Sequence, residues 1–218
     1  MVPRDVIIPD IIGHLDLMHP TLHAAPFTAA GWLFEMKLDG FRALACRRGA
    51  NVELLSRTGR SMAHEFPEIM GALSRIAGDW AMDAELVVPD ERGHPAFEAM
   101  RRRAVMRRRS SIDITAAKTP AALCVFDVLL ADGRDVRALP LGKRKARPRE
   151  IVDDMPAIQL VSALEAHGEA LFAKAVELDI EGIVAKRVDA TYSAGRQITW
   201  LKIKNRNYSR QEALGFRQ

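Results

Sequence analysis

Lys37 stands between two acids, Glu35 and Asp39, and is followed by Gly40 and Arg42. In an extended segment alternate residues share a face, so Glu35, Lys37 and Asp39 lie together, opposite Met36 and Leu38. A lone lysine in that setting ordinarily makes a solvated ion pair on a surface strand. Three other segments change the reading. Glu85, Glu181, and the pair Lys202 and Lys204 each place ionic groups opposite aliphatic neighbours. Together they can line one cleft. Two separated carboxylates such as Glu85 and Glu181 suit a hard divalent cation, Mg²⁺ or Mn²⁺, that keeps several waters and takes phosphate oxygens as ligands. Lysines suit the phosphates themselves. An amine set among other cations and a metal gives up its proton more readily and becomes a nucleophile. Attack on an α-phosphate would leave a phosphoramidate on lysine.

The elements that must position these groups can be read from periodicity. Trp32, Phe34, Met36 and Leu38 alternate with Leu33, Glu35, Lys37 and Asp39, which predicts a strand. ALACRR and VELLSR form a hairpin through Gly49, Ala50 and Asn51. Phe66, Ile69, Leu73 and Ile76 recur at helical spacing, and Gly78 closes that segment. In AMDAELVV, Met82, Ala84, Leu86 and Val88 share a face, with Asp83 and Glu85 on the other. A helix is expected from Pro95 into the arginine run, followed by strand ALCVFDVLL, a turn at ADGRD and a basic, proline-broken connector, LGKRKARPRE. Residues 167–178 read as an amphipathic helix, and EGIVAKR and WLKIK as strands. Strands and helices interleave, but the opening hairpin argues for an α+β domain of antiparallel sheets flanked by helices, not a doubly wound parallel sheet. Residues 1–25 and 206–218 are poor in periodic hydrophobicity and are expected as a peripheral segment and a tail around one domain at 26–205.

The bulk composition constrains less. The 218 residues are 48% hydrophobic, enough for a core, and 32 Lys plus Arg against 28 Asp plus Glu give a net charge of +4, which permits a polyanionic partner without demanding one. Cys46 and Cys124 sit in apolar stretches without metal-ligand spacing and read as free thiols in a reducing compartment. His14, His19 and His23 form no ligand pattern. No apolar run approaches a membrane span, and the first residues lack a secretory signal, so a cytoplasmic protein is expected. Arg101, Arg102 and Arg103 precede Arg107, Arg108 and Arg109 at spacings that let several share one helix face, as a phosphate track or as a solvated surface.

The motifs carry a family resemblance. EMKLDGFRA resembles the nucleophile motif KxDGxR of covalent nucleotidyltransferases, the superfamily of ATP-dependent ligases and capping enzymes. SRTGR, DAEL, VFDVL, EGIVAKR and WLKIK resemble that superfamily's later motifs in order, over residues 26–205. The wording is most similar to the ligase module of bacterial non-homologous end-joining DNA ligases. The fold implied is the covalent nucleotidyltransferase fold, ATP-grasp-like, with antiparallel sheets.

The resemblance implies roles. Lys37 would take AMP from ATP, Glu35 would contact the adenine edge, and Arg42 would bind ribose and help hold a DNA end. Arg57 would meet a nick phosphate, with Arg101, Arg102, Arg107 and Arg108 tracking the backbone. Glu85 would meet ribose or metal, Phe126 would stack on adenine, Glu181 would assist the metal, and Lys202 and Lys204 would grip the α-phosphate. Lys186 is open between a metal-site neighbour and a solvated strand end. AMP would pass to a DNA 5′-phosphate, and a 3′-hydroxyl would seal the nick, in DNA repair and recombination. The partner would be nicked or broken double-stranded DNA, with no membrane. Two departures stand out: Ala84 replaces the glycine of a DGE motif, and no OB-fold domain is expected, so that either a separate OB-fold or end-joining protein supplies it, or the chain self-adenylates slowly and seals poorly, or it keeps only nucleotide or DNA binding. A non-catalytic nucleotide- or DNA-binding remnant and an RNA ligase or capping nucleotidyltransferase remain as alternatives.

Overall fold

The computed structural model describes residues 17–147, 152 and 155–209. Strands β1 (Met18–Leu22), β11 (Gly195–Lys204), β10 (Gly182–Arg187), β2 (Trp32–Met36) and β9 (Ala163–Glu165) lie side by side in that order as a first sheet. A second sheet runs through β4 (Asn51–Ser56), β3 (Phe41–Arg48), β5 (Trp80–Val87), β6 (Ala122–Ala131) and β7 (Arg134–Asp135), with β8 (Ile158–Leu160) beside β6. Helices α1 (Pro67–Leu73), α2 (Phe97–Ala104), α3 (Arg109–Lys118), α4 (Leu141–Ala146) and α5 (Gly168–Glu177) flank them.

Alternation decides which face is buried. On the first sheet Phe34, Ile183, Ala185 and Ile203 pack with Ala175 of α5. On the second, Ala43, Ala45, Met82, Ala84 and Leu86 pack with Ile69 and Leu73 of α1 and Met100 of α2. Each large side chain so enclosed contributes roughly 1.5–3 kcal/mol. The inner faces meet over a smaller cluster that includes Met18, Leu44, Cys46, Leu129, Tyr192 and Trp200. Beside that cluster, Glu35, Lys186, Arg42 and Glu85 line an open cleft between the sheets.

The hairpin turns at Gly49, whose φ of +56° is the left-handed conformation glycine adopts without strain. Gly40 serves a different need, close approach. A Cβ there would strike the Leu86 carbonyl oxygen and lie 2.9 Å from Val87 Cγ1. Gly40→Ala is therefore expected to lower stability by about 1–3 kcal/mol, read as a drop in melting temperature. An unchanged melting temperature would mean that the loop leaving β2 does not press on β5.

The sheets are antiparallel as expected, except at two pairs, β1 with β11 and β6 with β8, which are parallel. The structure departs from the sequence expectations in three places. Residues 17–25, expected at the periphery, supply β1, because Leu17 and Met18 are buried and the strand completes an edge of the first sheet. The arginine run is broken: α2 ends at Ala104 and α3 starts at Arg109. One continuous helix would carry the buried stripe of Met100 and Ala104 on to Arg107, Arg108 and Ser111, whereas the break turns Ile112 inward instead. The basic connector begins as helix α4, with Leu141 and Arg144 buried on one side. The C-terminal tail is described only to Ser209, where Tyr208 donates to Asp39 at 2.8 Å and Ser209 to Asp179 at 2.5 Å. His14 lies outside the described residues.

Candidate active site

Lys37 directly follows β2, and its N–H donates to the Gly182 carbonyl, so the strand alignment with β10 continues to the nucleophile candidate. Register then stacks like residues across the sheet. Glu35 pairs with Val184 and Val184 with Lys202, while Gly182 pairs with Lys204. Paired residues project to the same face, so Glu35, Lys37, Lys186, Lys202 and Lys204 all stand on the cleft side. Lys37 Nζ lies 2.5 Å from Glu181 Oε2, and Lys204 Nζ is 3.8 Å from Glu181 Oε1. Burial, then the neighbouring Lys204 and Lys37, hold the Lys202 ammonium below the ordinary lysine range.

The facing sheet contributes acids and a guanidinium. Arg42 of β3 and Glu85 of β5 are direct cross-strand partners. Arg42 forks onto Asp83, Nε to Oδ1 at 2.8 Å and Nη2 to Oδ2 at 2.6 Å, and Nη2 also donates to the Met18 carbonyl at 2.7 Å. Burial alone would depress Arg42, but Asp83 lifts it above the usual arginine value, so it stays a fixed cation. Tyr192 donates to Asp83 Oδ2 at 2.6 Å and accepts from the Met18 N–H at 3.0 Å. Burial pushes Glu85 up to about 7, against the pull of Lys37 and Arg42.

Phe126 owes its place to an irregularity in β6. Asp83 pairs with Asp127 and Ala84 with Val125, which leaves Phe126 as the extra residue of a bulge. A bulge re-aims a side chain, and here Phe126 lines the cleft with Lys186 and Arg42 at 4.5 Å and 5.1 Å from its ring centre. Lys186 is wholly enclosed, 2.6 Å from Glu35 Oε2 and 4.3 Å from the Trp200 ring, and burial draws its ammonium below the ordinary value despite Glu35.

One cavity thus gathers Glu35, Lys37, Arg42, Glu85, Phe126 and Lys186. It offers a ring to stack on, cations for phosphate, and an amine at the rim. The family described as ATP dependent DNA ligase domain matches residues 20–204.

The chain belongs to that family.

The SPbeta prophage-derived DNA ligase-like protein LigB of Bacillus subtilis is 30% identical over 192 residues, 88% of this chain and 67% of that protein. The multifunctional non-homologous end joining protein LigD of Pseudomonas aeruginosa is 30% identical over 177 residues, 79% of this chain but 20% of that protein. A mycobacterial DNA ligase D solved in complex with ATP and MES superposes with a TM-score of 0.70 at 28% identity, covering 88% of this chain and 61% of that one. This ligase domain therefore spans between a fifth and two thirds of these relatives. Its fold is the nucleotidyltransferase fold of ATP-dependent DNA ligases, as the motifs imply.

Not every expected site residue reaches the cleft. Arg57 is exposed in the turn after β4. Arg101 pairs with Glu98 at 3.4 Å, Arg102 and Arg108 are exposed, and Arg107 pairs with Glu65 at 3.0 Å. Arg103 turns inward onto Glu68 at 2.7 Å and leaves the surface altogether. Conversely, Lys145, which donates to Glu35 at 2.5 Å, Arg144, which forks onto Asp127 next to Phe126, and Tyr192, which holds Asp83, frame the site and were not picked out from the sequence. For the first two the Leu141 spacing to Arg144 and Lys145, one helical turn, was the available clue. Among the described residues no helix is long and apolar enough to cross a membrane.

Proposed function

We propose that this ligase domain transfers AMP from ATP to Lys37 and then to the 5′-phosphate of a DNA nick, which a 3′-hydroxyl seals. The carrying observation is one cavity in which Lys37 and the Arg42–Glu85 row stand with the Phe126 ring, with Glu181 on the Lys37 ammonium. Adenine would stack on Phe126 with Glu35 at its edge. Lys37 Nζ would attack the α-phosphorus, forming a P–N bond as the P–O bond to pyrophosphate breaks. The proton that Lys37 must shed already lies on its hydrogen bond to Glu181. Lys202 and Lys204 would neutralise charge growing on the phosphoryl oxygens, and Arg42 would hold ribose.

The donor set suits magnesium or manganese. Glu85 and Glu181 are the carboxylates facing Lys37, and no cluster of three or more ligating side chains forms among the described residues. Such a pair fits an ion that draws most of its ligands from water and phosphate. Bound there, it would supply charge neutralisation at the triphosphate.

DNA would lie along the exposed arginines, Arg57, Arg101, Arg102, Arg107 and Arg108, which offer backbone contacts without sequence readout. The likeness to LigD supports end joining in DNA repair as the setting.

The test is a chase. Protein labelled with α-labelled ATP is freed of nucleotide and mixed with a duplex carrying a 5′-phosphorylated nick. The label is expected to move to the DNA 5′ end, to leave a 5′-hydroxyl nick untouched, and to be lost as AMP on sealing. Transfer to RNA alone would replace DNA as the substrate, and failure to label at all would leave a nucleotide- or DNA-binding domain.

A further inference from the structure

Lys145 reaches from α4 to the inner wall of the cavity. Its Nζ donates to Glu35 Oε1 at 2.5 Å, to the Val161 carbonyl at 3.2 Å and to the Phe126 carbonyl at 3.4 Å. These acceptors come from β2, from the residue after β8, and from β6, and all three residues line the cavity. An ammonium has three protons, so this one has none left to turn towards a ligand. Glu35 is gripped from its other oxygen by Lys186 at 2.6 Å. A carboxylate offers about four lone-pair sites, so the two lysines fix its orientation while leaving acceptor capacity open.

Opposed to a purine, the acceptor sites this wall keeps open are those of Glu35 and the Val161 carbonyl. The Phe126 carbonyl already accepts from Lys145 and, at 3.5 Å, from Lys186, which spends two of its donors there and on Glu35. The amino group of a 6-aminopurine can donate to the open sites. A 6-oxopurine would set oxygen against oxygen, and no spare proton on Lys145 could relieve the contact, which is how a polar site discriminates between isosteres.

We propose that Lys145 is a specificity-determining positioning residue, anchored on the Phe126 carbonyl, which holds Glu35 and the Val161 carbonyl as an acceptor edge that admits a 6-aminopurine nucleotide and refuses a 6-oxopurine one. This rests on the reading that the cavity takes the base of ATP.

The rate of covalent labelling is measured against the concentration of ATP, GTP and inosine triphosphate, the last carrying the 6-oxo group without the 2-amino group. The unaltered protein prefers ATP to inosine triphosphate. Lys145→Met keeps the chain length and removes every donor. It is expected to shrink the ratio of kcat/KM for the two nucleotides by about tenfold or more, mainly through a higher KM for ATP, with kcat held within about threefold. Lys145→Gln, which keeps an amide donor, falls between and carries the comparison if Lys145→Met does not fold. A lysine that only braces the fold would lower melting temperature and slow both nucleotides alike. An ATP-to-inosine preference unchanged in the variants overturns the assignment. No labelling of the unaltered protein by any nucleotide overturns instead the adenylation reading on which it stands.

Discussion

Incubated with α-labelled ATP and a divalent cation, the protein is expected to gain one acid-labile AMP, visible on a denaturing gel and by intact mass, and Lys37→Ala to gain none. The reduction should be roughly a thousandfold or more, as for other covalent nucleophiles. Lys37→Arg should fail equally, because a guanidinium keeps its proton and cannot attack phosphorus. The other lysines nearby do not substitute for it. Lys186 is enclosed beneath Phe126 and Trp200 and tied to Glu35, and Lys202 and Lys204 stand further along the sheet on β11. Acid lability separates a phosphoramidate from an ester on serine or tyrosine. The variant should still fold, since Lys37 and Glu181 are both partly solvated and Glu181 keeps Lys204 at 3.8 Å, so no enclosed charge is left without a partner. Undiminished labelling of Lys37→Ala would place the nucleophile elsewhere, and the roles of Glu181 and Glu85 would have to be reassigned with it.

What the sequence disclosed was local in origin. The two faces of β2 and β5 follow from a period of two, so Glu35 and Lys37 were separable from Phe34, and Asp83 and Glu85 from Met82 and Ala84, without any knowledge of partners. The ordered motifs then tied distant segments to one cleft. What stayed hidden depends on contacts between segments. β1, with Pro20 in its middle and no clean alternation, is a strand because β11 offers it an edge. The arginine run looked like a single basic face because spacing alone cannot show that Glu65 and Glu68 wait on α1 and the turn before it to draw Arg107 and Arg103. Lys145 and Arg144 sat in a proline-flanked basic stretch that reads as loop, yet Asp127 and Glu35 give both of them buried partners. Phe126 was legible as a motif residue, but the bulge that aims it at the cleft appears only in the register between β5 and β6.

Arg144 and Asp127 should carry the largest stability effect in the molecule. Both side chains are fully enclosed, and the guanidinium meets the carboxylate twice at 2.8 Å, Nε to Oδ1 and Nη2 to Oδ2. Nη1 donates to the Leu139 and Ala190 carbonyls, so the fork has a partner on every nitrogen. Arg144→Met removes the cation and leaves a buried carboxylate whose remaining hydrogen bond, among the described residues, comes from the Val128 N–H, with Lys186 acting on it through space. Stranding one charge of such a pair costs about 3–5 kcal/mol, a large share of the 5–15 kcal/mol typical of a domain. Replacing both, as Arg144→Met with Asp127→Leu, removes the stranded charge as well, and should recover most of the loss because an ion pair out of water contributes little beyond what its own desolvation costs. Urea unfolding of the two single variants and the double variant gives the coupling directly. Additive losses would mean that the residues do not share one interaction. The coupling reaches function because α4 carries Lys145 next to Arg144. Loosening that helix should weaken ATP use in Arg144→Met well below its unfolding transition, whereas the double variant, with α4 seated again on an apolar contact, should regain it in step with its stability.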